Sequence, residues 1–318
     1  MSLYITRRLP DTALQHIPAD LAWQMWPETA VPIPRAELLR AVAAATALVS
    51  LVSERVDAEL LAAAPGLRVV ANMAVGVDNI DLAACRARGV LVTNTPDVLT
   101  ETTADLAWAL LLAAARRVVE GQKLIEAGGW GAWHPLFMTG QDVHGATLGV
   151  IGAGRIGGAV LRRGAGFGMR LVYHNRRRSP ELEAATGAVS RSLDELLAES
   201  DHVVVCAPLT AETRGLIGAR ELALMKPTAV FVNVARGPVV DEAALVAALR
   251  VGRPWAAGLD VFEREPITAD HPLLTLPNVV ATPHVGSASV QTRLAMARLA
   301  VANALAVLRG EAPLTPVG

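Results

Sequence analysis

A short aliphatic run that leads directly into a glycine-rich turn constrains the fold of this chain more than any other feature. Residues 147–151 (TLGVI) have the composition of a buried strand, and Gly152, Gly154 and Gly157 follow at the spacing GxGxxG. A helical pattern over 158–163 comes directly after them. A strand, this glycine spacing and a helix together place backbone N–H groups at a helix N-terminus, where they can hold the pyrophosphate of a dinucleotide.

Each glycine of this turn has its own predicted role. Gly152 allows the tight turn, Gly154 lets a phosphate approach the backbone, and Gly157 lets the helix pack on the strand. Arg155 and Ile156 lie between the second and third glycines and are expected to contact the same ligand. The spacing alone is a weak indicator, because glycine-rich turns are common, and the flanking strand and helix strengthen it.

The rest of the chain alternates short aliphatic runs with longer amphipathic stretches. This alternation is typical of βα units around a mostly parallel sheet, so we predict an α/β fold. The strands predicted for a first series are 3–6, 21–25, 47–52, 67–71 and 90–93. The strands predicted for a second series are 147–151, 170–174, 202–207, 228–234, 256–260 and 279–282.

Two long helical patterns divide the chain. One runs over 102–127, with Thr102 and Asp105 as a predicted capping pair, and the other runs over 289–308 and is expected to pack on the N-terminal domain. Shorter helices are predicted over 35–45 and 57–64. The predicted organisation is a first domain (1–98), a second domain that holds the glycine turn (99–287) and a returning C-terminal helix (288–318).

Charge, hydropathy and cysteine content exclude several classes of function. The 29 basic and 30 acidic side chains leave a net charge of −1, so no excess charge attracts nucleic acid or anionic lipid. The longest apolar run, 106–115, is about half of the roughly 20 residues that a spanning helix needs. Cys85 and Cys206 are far from other ligand-type residues, so we expect no metal site and no disulfide framework. Without a signal-peptide pattern at its start, the chain is expected to be a cytoplasmic protein that binds small molecules.

The residues that follow the second strand of the second series indicate which dinucleotide binds. About 20 residues past the glycine turn, an NAD enzyme usually carries Asp or Glu. This chain has Asn175, followed by Arg176, Arg177, Arg178 and Ser179. Guanidinium groups can hold a 2′-phosphate that a carboxylate would repel, so the sequence favours NADPH over NADH. The alternative is that the three arginines form only a solvated loop.

Three other predicted strands of the second series are followed by residues with catalytic chemistry. In an open α/β sheet, ligands bind beyond the carboxyl ends of the strands, and Arg236, Glu265 and His284 are all placed there. His284 can donate a proton near neutral pH, and Glu265 can support it. Arg236 can bind a carboxylate or a carbonyl with paired hydrogen bonds. Taken singly, each of the three could equally be an ordinary surface or loop residue.

Jointly, these features resemble the D-isomer-specific 2-hydroxyacid dehydrogenases, and among them the glyoxylate/hydroxypyruvate reductase branch. The segments that carry the resemblance are 71–82 (ANMAVGVDNIDL), 89–117, 128–136 (GGWGAWHPL), 145–157 (GATLGVIGAGRIG), 230–249, 258–266 (GLDVFEREP) and 281–289 (ATPHVGSAS). The resemblance implies two Rossmann-like or flavodoxin-like lobes with parallel sheets, the cofactor lobe being inserted into the substrate lobe. It also implies a homodimer that reduces a short 2-oxo acid, with Arg236, Glu265 and His284 as catalytic residues and His284 as the proton donor.

The resemblance assigns further residues to the substrate and the cofactor. Backbone N–H groups of Val75 and Gly76 are expected to bind the substrate carboxylate, and Leu51 is expected to line the same pocket together with Arg236 and His284. Trp133, and with it Trp130, is expected to cap the substrate of the partner subunit or, alternatively, only to anchor the subunit interface. The residues expected to line the cofactor groove are Thr103, Pro208, Val234, Asp260, which would hold the nicotinamide carboxamide, and Gly286.

Two other functions stay open at this point. One is a reductase of larger 2-oxo acids such as 2-ketogluconate. The other is a dinucleotide-sensing scaffold without catalysis, against which the complete Arg, Glu and His set argues.

Overall fold

The computed structural model describes residues 1–317 and divides into two compact units. Unit 1 consists of Met1–Leu99 and the segment from Ser287 onward, and unit 2 consists of Thr100–Gly286. Each unit is built on a parallel β-sheet. The α/β class predicted from the alternating pattern is therefore confirmed.

The strands and helices are named in chain order. The strands are β1 (Ser2–Ile5), β2 (Ala22–Met25), β3 (Ala47–Ser50), β4 (Val69–Asn72), β5 (Leu91–Thr93), β6 (Thr147–Ile151), β7 (Arg170–His174), β8 (Val189–Ser190), β9 (His202–Val205), β10 (Val230–Asn233), β11 (Ala256–Leu259) and β12 (Val279–Ala281). The α-helices are α1 (Asp11–Leu14), α2 (Arg35–Ala41), α3 (Ala58–Ala63), α4 (Leu82–Ala87), α5 (Thr100–Ala115), α6 (Val118–Glu126), α7 (Arg155–Gly166), α8 (Pro180–Thr186), α9 (Leu193–Glu199), α10 (Ala219–Leu224), α11 (Glu242–Arg250) and α12 (Val290–Leu308).

Unit 1 has a five-stranded sheet in the order β2-β1-β3-β4-β5. The central strands β3 and β4 are buried along their whole length, as expected for parallel strands that are covered on both faces. Strand β2 lies at the edge and is mostly exposed. Helix α12 packs on β3 and β4, and Ser289 caps it by accepting the N–H of Thr292 at 3.2 Å.

Unit 2 has a seven-stranded sheet in the order β12-β11-β10-β9-β6-β7-β8. The order reverses between β6 and β9, which is the kind of switch point where open α/β sheets bind ligands at the carboxyl ends of their strands. Helix α5 lies directly on β11, since a Cβ on Gly258 would come within 2.9 Å of Leu110 Cβ. Trp108 of α5 fixes the neighbouring α7 by donating from Nε1 to the Val160 carbonyl at 3.1 Å.

Most of the predicted elements are present in the structure. The strands β6 and β7 have the predicted bounds, and the other predicted strands are present with ends shifted by up to two residues. The helix predicted over 289–308 is α12. Strand β8 was not predicted, because two residues at a sheet edge carry no recognisable alternation.

The single helix predicted over 102–127 is wrong. The chain forms two helices, α5 and α6, which are separated at Arg116 and Arg117. Helix α5 begins at Thr100, so Thr102 lies inside its first turn and does not cap it.

Contacts from a later segment explain the break. Arg117 adopts a left-handed conformation with φ 54°, which ends α5. The Ala115 carbonyl accepts the N–H of Gln141 at 2.9 Å instead of a helical N–H. Gly140 lies so close to this carbonyl that a Cβ there would be 2.3 Å from the Ala115 oxygen.

Candidate active site

The glycine-rich turn joins the end of β6 to the start of α7. Gly152 has φ +88°, and a Cβ on it would lie 2.4 Å from the Ala207 nitrogen. A Cβ on Gly157 would lie 2.4 Å from the Gly152 carbonyl oxygen, so this glycine allows the helix to approach the turn. Around Gly154, by contrast, a Cβ would meet nothing within 4 Å. The turn therefore leaves open space at the N-terminus of α7, where backbone N–H groups and the helix dipole can hold a phosphate.

The segment after β7 lies against this turn. Asn175 is tied to Ala153, whose N–H donates to Asn175 Oδ1 at 2.7 Å and whose carbonyl accepts from Nδ2 at 3.2 Å. Arg176 and Arg177 are exposed and form no ion pair with the described residues. The charge of Glu212 acts on Arg176, but neither guanidinium group forms a close ion pair with a described carboxylate, so both can receive an anionic ligand.

Arg178 differs from its two neighbours, because it is already paired. Its Nε and one terminal nitrogen donate to Glu183 at 3.1 and 2.6 Å. The Tyr173 hydroxyl donates to the same carboxylate at 2.7 Å and accepts the N–H of Ser179 at 2.8 Å. This pair orders the segment that leads into α8.

The turn after β10 presents Arg236. The Asn233 side chain holds this turn, since its Nδ2 donates to the Arg236 carbonyl at 3.1 Å and its Oδ1 accepts the N–H of Ala235 at 3.0 Å. A Cβ on Gly237 would lie 1.9 Å from the Phe262 carbonyl carbon, so only glycine lets this turn approach the neighbouring strand end. Neither Asn233 nor Gly237 was predicted from the sequence as a support of this turn. The signals that could have identified them are a polar residue at the end of an apolar run and a glycine directly after the arginine.

Glu265 and His284 form the central pair of the site. Glu265 Oε2 lies 2.7 Å from His284 Nδ1, and about a third of each side chain is exposed. The other carboxylate oxygen accepts the N–H of Phe262 at 3.0 Å. Burial by itself would raise the pKa of Glu265. The hydrogen bond and charge of His284, the Phe262 N–H and the charge of Arg236 lower it by more, so the pKa of Glu265 lies below its ordinary value. The carboxylate is thus held ionised against the imidazole, and Nε2 is left to face a reactant.

Asp260 holds the turn that carries His284. Its carboxylate is buried and accepts the Thr282 hydroxyl (2.7 Å) and the N–H groups of Val285 and Gly286 (2.8 Å each). Its own backbone carbonyl accepts the N–H of His284 at 2.9 Å, and His284 has φ 53°. Burial raises the pKa of Asp260 even though these hydrogen bonds and the charge of His284 oppose the shift. Asp260 was predicted from the sequence to bind the cofactor alone, and its contacts with the His284 turn were not predicted.

The other residues predicted to line the cofactor groove lie near the same sheet edge. A Cβ on Gly286 would be 3.2 Å from Thr103 Cγ2, which places the first turn of α5 beside the His284 turn. Val234 is buried directly after β10. Pro208 follows β9, is exposed, and accepts the Thr213 hydroxyl on its carbonyl at 2.6 Å.

Three other residues predicted for the substrate pocket, Leu51, Val75 and Gly76, belong to unit 1. Leu51 follows β3, and its N–H donates to Glu54 at 2.8 Å while its carbonyl accepts from Asn79 at 3.1 Å. Val75 and Gly76 follow β4. Their N–H groups have no acceptor among residues 1–317, so both are free to bind an anion.

An apolar surface lies on α6 and the segment that follows it in unit 2. Trp133 is 77% exposed, and α6 has no buried residue. The large apolar side chains that are exposed on this surface are Val118, Ile125, Trp130, Trp133 and Leu136. Such a patch is typical of a protein contact surface.

Two features are absent from the described part of the chain, residues 1–317. No group of three or more His, Cys, Asp and Glu residues is placed to hold a metal ion. Nor does any described helix combine the length and the apolar composition that crossing a bilayer requires.

Comparisons with known sequences show what the chain is similar to. The family model described as D-isomer specific 2-hydroxyacid dehydrogenase, NAD binding domain, matches residues 108–286. A glyoxylate reductase of Thermococcus gammatolerans is 50% identical over 319 residues, which cover 99% of this chain and 95% of the relative.

Solved structures extend the similarity to the whole fold. A crystal structure of a protein from Thermus thermophilus matches with a TM-score of 0.93 and 48% identity, covering 100% of both chains. An NADPH-dependent glyoxylate/hydroxypyruvate reductase from Sinorhizobium meliloti, crystallised with NADP and malonate, matches with a TM-score of 0.87 and 36% identity. That match covers 100% of this chain and 96% of the other, so the similarity includes both units.

Proposed function

The chain belongs to the D-isomer-specific 2-hydroxyacid dehydrogenase family, and we propose that it is an NADPH-preferring glyoxylate/hydroxypyruvate reductase. The observation that carries the proposal is the 2.7 Å pair of Glu265 and His284, held at the same sheet edge as Arg236. The half-identical glyoxylate reductase of Thermococcus gammatolerans supports the choice of substrate. In this proposal unit 2 is the dinucleotide-binding domain and unit 1 the substrate domain.

The mechanism follows from the hydrogen bonds of His284. A reduced nicotinamide, when bound, supplies the hydride that adds to the keto carbon. His284 holds a proton on Nε2 and gives it to the oxygen of that carbonyl, while Glu265 keeps Nδ1 protonated and stabilises the cationic ring. Arg236 binds the substrate carboxylate or carbonyl and orients it, and its positive charge favours the developing alkoxide.

The glycine turn fits the pyrophosphate of the cofactor. The open space at Gly154 and the N-terminus of the twelve-residue helix α7 are suited to that group. The main role of Asp260 is to hold the turn that carries His284, through hydrogen bonds from Thr282, Val285 and Gly286. We assign the nicotinamide carboxamide to Asp260 as a second task of the same carboxylate.

The preference for NADPH is assigned to Arg176 and Arg177. Both are exposed and form no close ion pair with a described carboxylate, although the charge of Glu212 acts on Arg176. The Sinorhizobium meliloti relative is described as NADPH-dependent. Replacing both with alanine should weaken NADPH use at least about tenfold while NADH use changes little, since only NADPH carries the 2′-phosphate. Arg178→Ala is the matched control, because Arg178 is paired with Glu183. Equal losses with both cofactors would refute the assignment.

We also propose that a second copy of the chain covers the apolar surface on and after α6. Trp133 would then contact the substrate of the partner subunit, or would serve only as an interface anchor. Sedimentation should show a dimer. Trp133→Ala should raise the KM for glyoxylate in the first case, and should only weaken the dimer in the second.

A substrate panel tests the function itself. Glyoxylate, hydroxypyruvate, pyruvate and 2-ketogluconate are each offered with NADPH and with NADH, and absorbance of the reduced cofactor is followed. We expect the highest kcat/KM with glyoxylate or hydroxypyruvate and NADPH. Preference for 2-ketogluconate would favour a reductase of larger oxo acids, and cofactor binding without turnover of any substrate would favour a dinucleotide-sensing scaffold.

A further inference from the structure

The turn after β4 has free N–H groups and anchored carbonyl groups. The N–H groups of Val75 and Gly76 find no acceptor in the described part of unit 1. The three carbonyl groups of the same turn each accept a hydrogen bond from another segment. These bonds are Thr95 N–H to the Ala74 oxygen (2.8 Å), Asn94 Nδ2 to the Val75 oxygen (2.8 Å) and Asn72 Nδ2 to the Gly76 oxygen (2.9 Å).

Anchoring a carbonyl fixes the direction of the next N–H. A trans peptide bond is planar, and its C=O and N–H groups point in opposite directions. The bond to the Ala74 carbonyl therefore sets the direction of the Val75 N–H, and the bond from Asn94 to the Val75 carbonyl sets that of the Gly76 N–H. Two successive N–H groups that are held in this way form a concave donor pair suited to a carboxylate.

Asn94 is itself held by the C-terminal segment of unit 1. The Thr315 hydroxyl donates to the Asn94 carbonyl at 2.6 Å, and the Asn94 N–H donates to the Thr315 carbonyl at 3.3 Å. Asn303, fully buried on α12, completes the support, since it donates to the Thr315 hydroxyl at 2.8 Å and accepts the Thr315 N–H at 3.0 Å. A chain of hydrogen bonds thus runs from α12 through Thr315 and Asn94 to the turn after β4.

We propose that Asn94 is a positioning residue for the substrate carboxylate, and that Thr315 supports it. The proposal rests on the proposed function, because it takes the turn after β4 to be the carboxylate site. Asn94 acts through the Val75–Gly76 peptide and not by touching the substrate. Losing its amide should therefore weaken carboxylate binding while the steps at His284 proceed as before.

Steady-state kinetics and calorimetry test this role with Asn94→Ala. The KM for glyoxylate should rise about tenfold, the size expected when one hydrogen bond to a charged group is weakened. The dissociation constant for oxalate, a carboxylate that cannot be reduced here, should rise by the same factor in the presence of NADP⁺. In contrast, kcat and the KM for NADPH should change less than about twofold, because neither depends on this turn. Thr315→Val should shift both carboxylate constants in the same direction by a smaller factor.

Asn278→Ala is the matched control. The Asn278 amide also donates to two backbone carbonyls, those of Leu249 and Trp255 at 3.1 and 2.9 Å, but it lies in unit 2 at the start of β12. Its replacement should lower the melting temperature and leave the glyoxylate and oxalate constants unchanged. If Asn94→Ala does not fold, Asn94→Gln replaces it in the same test. Glutamine keeps an amide but displaces the donor by one methylene, so this variant should still raise the KM for glyoxylate.

The outcomes separate this proposal from the proposed function. An unchanged oxalate constant in the Asn94 variants, or a change equal to that of Asn278→Ala, would overturn the role of Asn94. If the wild-type protein binds oxalate but reduces no oxo acid, the proposed function fails and the oxalate constants still decide the Asn94 proposal. If it reduces glyoxylate but the Asn94 variants lose kcat instead of affinity, the reductase stands and the positioning role falls.

Discussion

Replacing Glu265 with glutamine should lower kcat/KM for glyoxylate reduction about five- to tenfold near neutral pH. The substitution keeps the size of the side chain and removes its charge. The 2.7 Å contact with His284 then has a neutral acceptor in place of a charged one. The contact with His284 is one of the causes that lower the pKa of Glu265, so the ionised carboxylate and the imidazole stabilise each other in the wild type, and this stabilisation is lost in the variant.

The magnitude follows from the geometry of the pair. A hydrogen bond to a charged group contributes about 1.5–3 kcal/mol and a neutral one about 0.5–1.5 kcal/mol, so the change costs about 1–2 kcal/mol. About a third of each side chain is exposed, and solvent screening favours the lower part of this range. At about 1.4 kcal/mol for each factor of ten, the loss is about five- to tenfold in rate. His284→Ala removes the proton donor itself and should cost at least about a hundredfold.

The pH dependence gives a second readout with a defined sign. The pKa of Glu265 is lowered in the folded protein, so its carboxylate supports His284 at all pH values above the ordinary glutamate value of about 4.3, and the support is lost as the pH falls through the lowered value. Glutamine does not titrate, so the fall in kcat/KM that accompanies protonation of Glu265 at acidic pH in the wild type should be absent from Glu265→Gln.

Initial rates of NADPH oxidation, measured over the acidic to alkaline range, check both readouts. Glu263→Gln is the control, since it removes an exposed carboxylate two positions away that does not contact His284. A Glu265→Gln enzyme with the wild-type rate and pH profile, or a His284→Ala enzyme with full activity, would refute the reasoning.

Two further predictions concern stability. His202 is fully buried, with Nε2 on the Asp142 carbonyl and Nδ1 without a partner, and burial lowers its pKa. Below about pH 6.5 the unfolded chain therefore binds a proton at His202 more readily than the folded chain does, so the melting temperature of the wild type should fall as the pH drops below that value. In His202→Asn the melting temperature should depend less steeply on pH. Equal pH dependence in the two proteins would contradict this. Gly157→Ala should lose about 1–3 kcal/mol of unfolding free energy, because its Cβ would lie 2.4 Å from the Gly152 oxygen. Gly166→Ala in the same helix meets nothing within 4 Å and should be neutral or slightly stabilising, as thermal unfolding of the two variants can show.

The strands could be predicted because their signal is local. A parallel strand that is covered on both faces must be aliphatic along its length, and β6 and β7 have the bounds that this rule gives. The catalytic candidates could also be located from the sequence. Since the carboxyl ends of parallel strands meet at one sheet edge, Glu265 and His284 were expected to be neighbours, and they lie 2.7 Å apart.

The features that the sequence did not reveal depend on contacts between distant segments. The helix pattern continues through Arg117, and the contacts that Gln141 and Gly140 make with Ala115 show why the helix breaks there. Likewise, the run of three arginines looks uniform in the sequence, yet Arg178 is engaged by Glu183 on the next helix. Neither contact produces a periodic pattern in the sequence, because each joins single residues from two separate segments.

The position of Asp260 could be predicted from the sequence, but its structural role could not. An acid at the end of β11 is well placed for a ligand, and the sequence permits that assignment. The structure shows that both of its carboxylate oxygens already hold the turn from Thr282 to Gly286, whose histidine has a left-handed backbone. A strained turn keeps its shape only when surrounding bonds over-determine it. Asp260→Asn would replace one acceptor oxygen with an NH₂ group facing backbone N–H donors, so it should displace His284 from Glu265 and lower kcat even where cofactor affinity is retained. A cofactor-only role predicts the reverse, a raised KM for NADPH with kcat preserved, and steady-state kinetics distinguish the two.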